Sequence, residues 1–215
     1  MPYRMEQQRL HEKQIFTGGQ PLDKADKVLI MVHGRGALAS DILPLATHLE
    51  VAGFALLAPQ ATHQTWYPAS FLAPAELNEP WLSSALGLLD EMTREVHEHG
   101  IRWEHLFLLG FSQGACLTLE FAARHARRYG GIIAFTGGLI GDQVHREHYS
   151  GDFGKTPVFI GTSDPDPHVP VARVRESAAV LRDLHADVTL QVYPGMGHTI
   201  SAPEIRLANK VVLGA

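Results

Sequence analysis

One cysteine, Cys116, stands among 215 residues, so no intramolecular disulfide framework staples this chain. A lone thiol suits a reducing compartment, and a cytoplasmic setting is the simplest expectation. Long apolar runs are missing too. The longest lies around residues 28–32, far short of the roughly 18–20 residues that a membrane span requires. Residues 1–10 are too polar to supply the hydrophobic stretch of a secretory signal. Positive charge is scarce: 18 Lys and Arg against 23 Asp and Glu leave a net charge of −5. With the basic residues scattered, that balance argues against a nucleic-acid partner. The chain also lacks internal repeats, low-complexity blocks and long linkers.

What remains is the composition of an ordinary folded domain, 45% hydrophobic and 19% charged, which argues against intrinsic disorder. The length fits a single domain over residues 1–215, with 1–12 loosely ordered. Short apolar runs predict strands over 28–32, 54–58, 106–109, 131–135, 158–160 and 188–193. They are apolar throughout and not alternating, as suits strands buried on both faces of a parallel sheet. Between them, apolar residues at helical spacing predict helices over 40–52, 82–99, 113–127, 171–185 and 203–212. Such alternation gives a doubly wound, mostly parallel α/β sheet with helices on both faces and right-handed crossovers. Residues 12–17 are a candidate antiparallel edge strand.

Residues 60–80 fit neither pattern. They hold Trp66, Tyr67 and Phe71 among Pro68, Pro74 and Pro80. An aromatic loop leaving the C-terminal end of a strand is where an open α/β sheet binds its ligand. Trp66, Tyr67 and Phe71 are therefore candidate pocket residues, with Leu139 from the turn after Gly137-Gly138. Covering a helix edge is the competing use of the same aromatics.

Chemistry enters at Gly110-Phe111-Ser112-Gln113-Gly114, the Gly-x-Ser-x-Gly pattern of a nucleophile elbow. An apolar strand runs into it and an amphipathic helix leaves it, which is the context the motif requires. The small residues on either side are needed because the strained turn brings neighbouring backbone too close for side chains. A serine hydroxyl needs a base within hydrogen-bond reach. Of 13 histidines, His198 follows the last predicted strand, in Tyr193-Pro194-Gly195-Met196-Gly197-His198. That is the edge from which Ser112 projects. A carboxylate to orient this base is offered by Asp164 or Asp166, in a proline-stiffened loop after the 158–160 strand. An oxyanion needs two N–H donors. Gln113, directly after the serine, supplies one, and Arg35 in His33-Gly34-Arg35-Gly36-Ala37 supplies the other. The Arg35 side chain reads as a solvated loop arginine, with attraction of an anionic substrate group as its alternative use.

Taken together, His33-Gly34-x-Gly36, Gly110-Phe111-Ser112-Gln113-Gly114, Asp166-Pro167-x-Val169-Pro170 and Gly197-His198 resemble the phospholipase/carboxylesterase family, which includes acyl-protein thioesterases. The resemblance runs from about residue 25 to the end. It implies a single-domain α/β-hydrolase without a large lid domain, cleaving small-molecule esters or thioesters through an acyl-serine with no cofactor. It also implies Asp166, with Asp164 as neighbour, as the acid of a Ser112–His198–Asp166 triad. Arg35 and Ala37 stand where acyl-protein thioesterases carry an apolar and an acidic residue. That points away from long lipid-modified protein substrates and toward the bacterial small-esterase branch. A homodimer is left open. A dienelactone-hydrolase-like lactonase is the alternative enzyme, although those usually carry cysteine as nucleophile. A hydrolase-fold binding protein without catalysis is the non-enzymatic alternative.

No metal is expected. His97 and His99, like His145 and His148, form pairs without the convergent third ligand that zinc requires, and read as solvated. Cys116, one helical turn after Ser112, reads as core.

Overall fold

The computed structural model describes residues 10–214. Its centre is a seven-stranded sheet formed by β1 (Ile15–Gly19), β2 (Lys27–Val32), β3 (Phe54–Pro59), β4 (Leu106–Phe111), β5 (Gly131–Phe135), β6 (Pro157–Asp164) and β7 (Asp187–Pro194). Alternate side chains of each apolar run enter opposite cores. Val28, Ile30 and Val32 of β2 join one, and Leu29 and Met31 the other. Leu106 and Leu108 of β4 face the first, Phe107 and Leu109 the second. A period of two with both sets apolar demands cover on both faces. One face is covered by α2 (Trp81–Glu98), α3 (Gln113–Arg124) and α4 (Val171–Asp183). The other is covered by α1 (Ala39–Ile42), α5 (Ala202–Ala208) and the wide turn Asn209–Leu213.

Strand order is β1-β3-β2-β4-β5-β6-β7, parallel except for β1, which runs antiparallel to β3. The chain winds outward from β2 in both directions, so the sheet reverses between β2 and β4. The C-terminal ends of those two strands frame a crevice where open sheets place ligands.

Three expectations need adjustment. The helix expected over 40–52 is a single α-turn, Ala39–Ile42, followed by a 3₁₀ segment, Leu43–His48. Pro44 has no N–H to return to Ser40, so the α-ladder cannot continue. The edge strand lies at Ile15–Gly19 and not at 12–17. Of the stretch expected to be loosely ordered, 1–9 lie outside the described residues, but Leu10 and His11 are fastened. Both backbone N–H groups donate to Ser84 Oγ at 2.9 Å, and His11 is fully buried.

Candidate active site

Ser112 occupies the junction of β4 and α3 with φ 54° and ψ −119°. A non-glycine residue held there stores about 1–3 kcal/mol of backbone strain, and its N–H is anchored on Phe135 O at 3.0 Å. The two glycines of the motif have a steric cause. A Cβ on Gly110 would stand 2.3 Å from Gly114 O, and one on Gly114 would stand 2.2 Å from Val32 O. Helix α3 is thereby drawn against the ends of β2 and β4. Its first N–H, that of Gln113, has no acceptor within the helix.

Ser112 Oγ and His198 Nε2 are 2.7 Å apart, and His198 Nδ1 lies 2.9 Å from Asp166 Oδ2. The three residues follow β4, β7 and β6 at one edge of the sheet. The other carboxylate oxygen of Asp166 accepts from His168 N–H and Val169 N–H, each at 2.8 Å, and the side chain is completely covered. Burial alone would raise the Asp166 carboxyl. Hydrogen bonds from His168 N–H, the His198 imidazole and Val169 N–H outweigh it and hold the group below its usual value. Asp164 is exposed, and it joins the site only through its carbonyl, which accepts from Gly195 N–H at 3.0 Å. Ser163 Oγ accepts from Gly197 N–H at 2.9 Å, tying the aspartate loop to the histidine loop. The His198 ring is flanked by Phe111, at 5.4 Å between centroids, and by His168, edge-on at 4.8 Å.

A cavity of about 450 Å³ opens beside Ser112 and His198, with Tyr67, Phe71 and Arg35 in its wall. Trp66 and Leu139 do not line it, which corrects the expectation for both. Trp66 is fully buried behind the wall, where its indole N–H donates to His33 O at 2.8 Å. Leu139 is also fully buried. Its N–H donates to Ser177 Oγ at 2.8 Å and its carbonyl accepts from Arg173 at 3.0 Å. Cys116, expected in the core, is buried yet reaches the cavity wall. Burial pushes its thiol up to about 12 and carries the Tyr67 hydroxyl well above its usual value, so both stay neutral.

Sequence reasoning missed the polar braces. The Gln113 side chain accepts from Trp66 N–H at 2.9 Å and donates to Tyr67 O at 2.8 Å, binding α3 to the aromatic loop. The Arg35 guanidinium is no free loop side chain. It donates to Pro68 O at 2.9 Å, Tyr67 O at 3.0 Å and Ala69 O at 2.7 Å. His33 donates from Nδ1 to Gly34 O and accepts Ala61 N–H at Nε2, fastening the two loops between which Arg35 stretches. The Arg35 loop borders the nucleophile: a Cβ on Gly34 would lie 3.5 Å from Ser112 Cβ. The paired histidines sit elsewhere. His145 bonds Asp142 and Glu147 in an exposed loop, and His97 and His99 bond carbonyls at the end of α2. Among the described residues no group of three or more His, Cys, Asp or Glu could hold a metal, and no helix is long and apolar enough to cross a membrane.

Comparison with known proteins bears on the family and the fold. The sequence profile of the phospholipase/carboxylesterase family matches residues 15–212. Acyl-protein thioesterase 1 of Saccharomyces cerevisiae is 28% identical over 160 residues, covering 74% of this chain and 69% of that protein. Its namesake in Gibberella zeae is 32% identical over 110 residues, covering 50% of this chain and 47% of that one, so the alignment spans about half its length. Among solved structures, a phospholipase/carboxylesterase from Dyadobacter fermentans superposes with a TM-score of 0.93 at 54% identity, covering 94% of this chain and 97% of that chain. SOBER1 of Arabidopsis thaliana shares the fold, with a TM-score of 0.75 at 18% identity over 87% of this chain and 98% of that one.

Proposed function

The chain belongs to the phospholipase/carboxylesterase family of α/β-hydrolases, and from that premise we propose that it hydrolyses carboxylic esters or thioesters through an acyl-serine on Ser112. The 2.7 Å approach of Ser112 Oγ to His198 Nε2 is the observation that carries this reading. His198 takes the hydroxyl proton as Oγ attacks the acyl carbon, and Asp166 holds the imidazole in the tautomer that leaves Nε2 free to accept. The backbone N–H groups of Arg35 and Gln113 receive the developing oxyanion. His198 then gives its proton to the leaving alcohol or thiol. A water deprotonated by the same imidazole releases the acid and regenerates the serine. The first proton moves between groups already in hydrogen-bond reach, Ser112 Oγ and His198 Nε2, and no cofactor is called for.

Ser112, and not cysteine, at the elbow favours this over a dienelactone-hydrolase-like lactonase. The continuous Ser112–His198–Asp166 relay favours it over a binding protein without catalysis. A cytoplasmic setting goes with the reading, supported by a lone thiol that has no cysteine partner. The test compares wild type with Ser112→Ala, using a fluorophosphonate probe and a series of para-nitrophenyl esters and acyl thioesters of graded chain length. Wild type should label and turn over, and the variant should do neither while keeping its thermal melt. Equal labelling or equal turnover in the variant would refute the assignment.

A further inference from the structure

Ester hydrolysis as proposed uses the backbone N–H of Arg35, and its guanidinium braces the wall, but nothing in that reading uses the charge. That side chain is exposed yet held in one place by the carbonyls of Tyr67, Pro68 and Ala69. Three bonds engage only part of the five-donor fork, and carbonyls neutralise none of its charge. Arg94, Arg124, Arg146 and Arg173 each pair with an Asp or Glu. Arg35 has no carboxylate partner among the described residues. Its positive charge therefore has no carboxylate in salt-bridge reach at the rim of the cavity, where it stands 5.9 Å from the centre of the Tyr67 ring, on a chain whose net charge is −5.

The rest of the cavity wall does nothing to cancel it. His168 lines the same space, and no Asp or Glu does. Asp166, beside this wall, is fully covered, with both oxygens committed to His198 and to two backbone N–H groups, and Asp41, six residues after Arg35, faces the neighbouring hollow and accepts Leu38 N–H at 2.8 Å. The remaining wall is neutral, from Tyr67, Phe71 and Cys116 to Val169. A fixed planar fork with unspent N–H groups, beside a neutral wall and with no carboxylate in salt-bridge reach among the described residues, is suited to bind one carboxylate of a ligand.

We propose that the cavity selects esters bearing a free carboxylate elsewhere in the molecule, and that the Arg35 guanidinium binds that carboxylate while Ser112 attacks the ester. This rests on the hydrolytic reading above and names its substrate class. A cavity of about 450 Å³ takes a short acyl or alcohol portion together with the charged group.

The experiment uses two matched pairs of substrates. Mono-para-nitrophenyl glutarate and its methyl ester place the charge, or its neutral replacement, on the acyl side. Para-acetoxybenzoate and its methyl ester place it on the leaving group. Values of kcat/KM are measured for wild type, Arg35→Gln and Arg35→Lys, with wild type also titrated with sodium chloride. Because the readout is the charged-to-neutral ratio within one variant, a loosened loop or a shifted oxyanion donor affects both members and cancels. In at least one pair wild type should favour the charged ester. The ratio should fall roughly 10–100-fold in Arg35→Gln, the range for one charge-assisted hydrogen bond. Arg35→Lys should keep part of it, and salt should erode it in wild type. A ratio unchanged in Arg35→Gln, a wild-type preference for the neutral ester in both pairs, or a salt-independent ratio overturns the proposal. If Arg35→Gln does not fold, the wild-type salt titration still decides. Failure of the hydrolytic reading itself looks different: none of the four esters turns over and the fluorophosphonate leaves Ser112 unlabelled.

Discussion

Replacing Asp166 by Asn separates the orienting role proposed for this residue from its space-filling one, and the geometry fixes the expected outcome in advance. Oδ1 accepts two backbone N–H groups at 2.8 Å, and Oδ2 faces His198 Nδ1 at 2.9 Å. An amide has one oxygen. Turning its NH₂ toward His168 N–H and Val169 N–H would set donor against donor and leave the covered Val169 N–H unsatisfied, at about 1–3 kcal/mol. The amide oxygen therefore stays on the two N–H groups and the NH₂ faces His198. Nδ1 must then accept, which places the imidazole proton on Nε2 and makes that nitrogen a donor to Ser112 and no longer a base. With about 1–3 kcal/mol against it, the flipped, productive amide is populated at roughly one part in 5 to one part in 150. Loss of the carboxylate charge beside the transient imidazolium adds to this. The expected fall in kcat/KM on a short para-nitrophenyl ester is about 10³–10⁴-fold, the scale seen when the corresponding aspartate of another serine-hydrolase triad becomes an amide. Asp164→Asn should change it little. A rate for Asp166→Asn within about tenfold of wild type, or an equal loss in Asp164→Asn, would show that the relay runs through some other group.

The same carboxylate links activity to stability. Its folded pKa lies below the usual value, because hydrogen bonds to the ionised form outweigh the burial that opposes it. Its contribution to stability is therefore present above the unfolded-state pKa and is lost as pH falls through the folded one. The stability difference between wild type and Asp166→Asn, read by chemical denaturation, should shrink as the solution is made acid.

Two other outcomes follow from local geometry. Gly110→Ala should lower stability by about 2–4 kcal/mol in urea titration, because its Cβ would meet rigid backbone 2.3 Å away at Gly114 O. Native protein should resist iodoacetamide at neutral pH and keep its activity, because burial pushes the Cys116 thiol up to about 12, whereas unfolded protein should alkylate at once.

The parts of this molecule legible in the sequence are those set by local pattern. Runs such as Val28–Val32 and Ile132–Phe135 announce buried strands because both faces are apolar. Gly110 and Gly114 announce the elbow because only a close approach of backbone excludes a side chain there. The sequence pattern placed Ser112, Asp166 and His198 each just after a strand, and a parallel sheet delivers its strand ends to one edge. Where the reading slipped, a long-range bond or a single local residue decided. Pro44 cut short a helix whose apolar spacing was sound. Trp66 looked like a pocket aromatic until its indole N–H found His33 O. Leu10 and His11 looked like part of a free end, but Ser84, more than 70 positions away, accepts both of their N–H groups. Such partners leave no periodicity to read.

Those same unreadable bonds explain how a cavity walled largely by loops can hold a geometry fit for chemistry. The 65–69 backbone is gripped from two directions, by the Gln113 amide at the start of α3 and by the Arg35 guanidinium after β2. The turn after β5 is gripped from beneath. Buried Arg173 donates to Leu139 O and Gly141 O, and buried Glu120 accepts Ile140 N–H and the Tyr149 hydroxyl. Apart from the Glu120–Tyr149 contact, each brace joins a charged or amide side chain to backbone, so the loop cannot shift without abandoning several bonds, at about 1–3 kcal/mol for each buried group left unpaired. Donors aimed in advance at a developing charge need no rearrangement during the reaction, which is the larger part of what such sites contribute to rate. On the hydrolytic reading proposed above, Gln113 and Arg35 combine two duties in single residues: their side chains freeze the wall, and their N–H groups receive the oxyanion. A substitution that spares the backbone donor but frees the wall, such as Gln113→Ala, separates the two. If pre-organisation is the source of rate, it should depress kcat while Ser112 remains reactive toward a small fluorophosphonate.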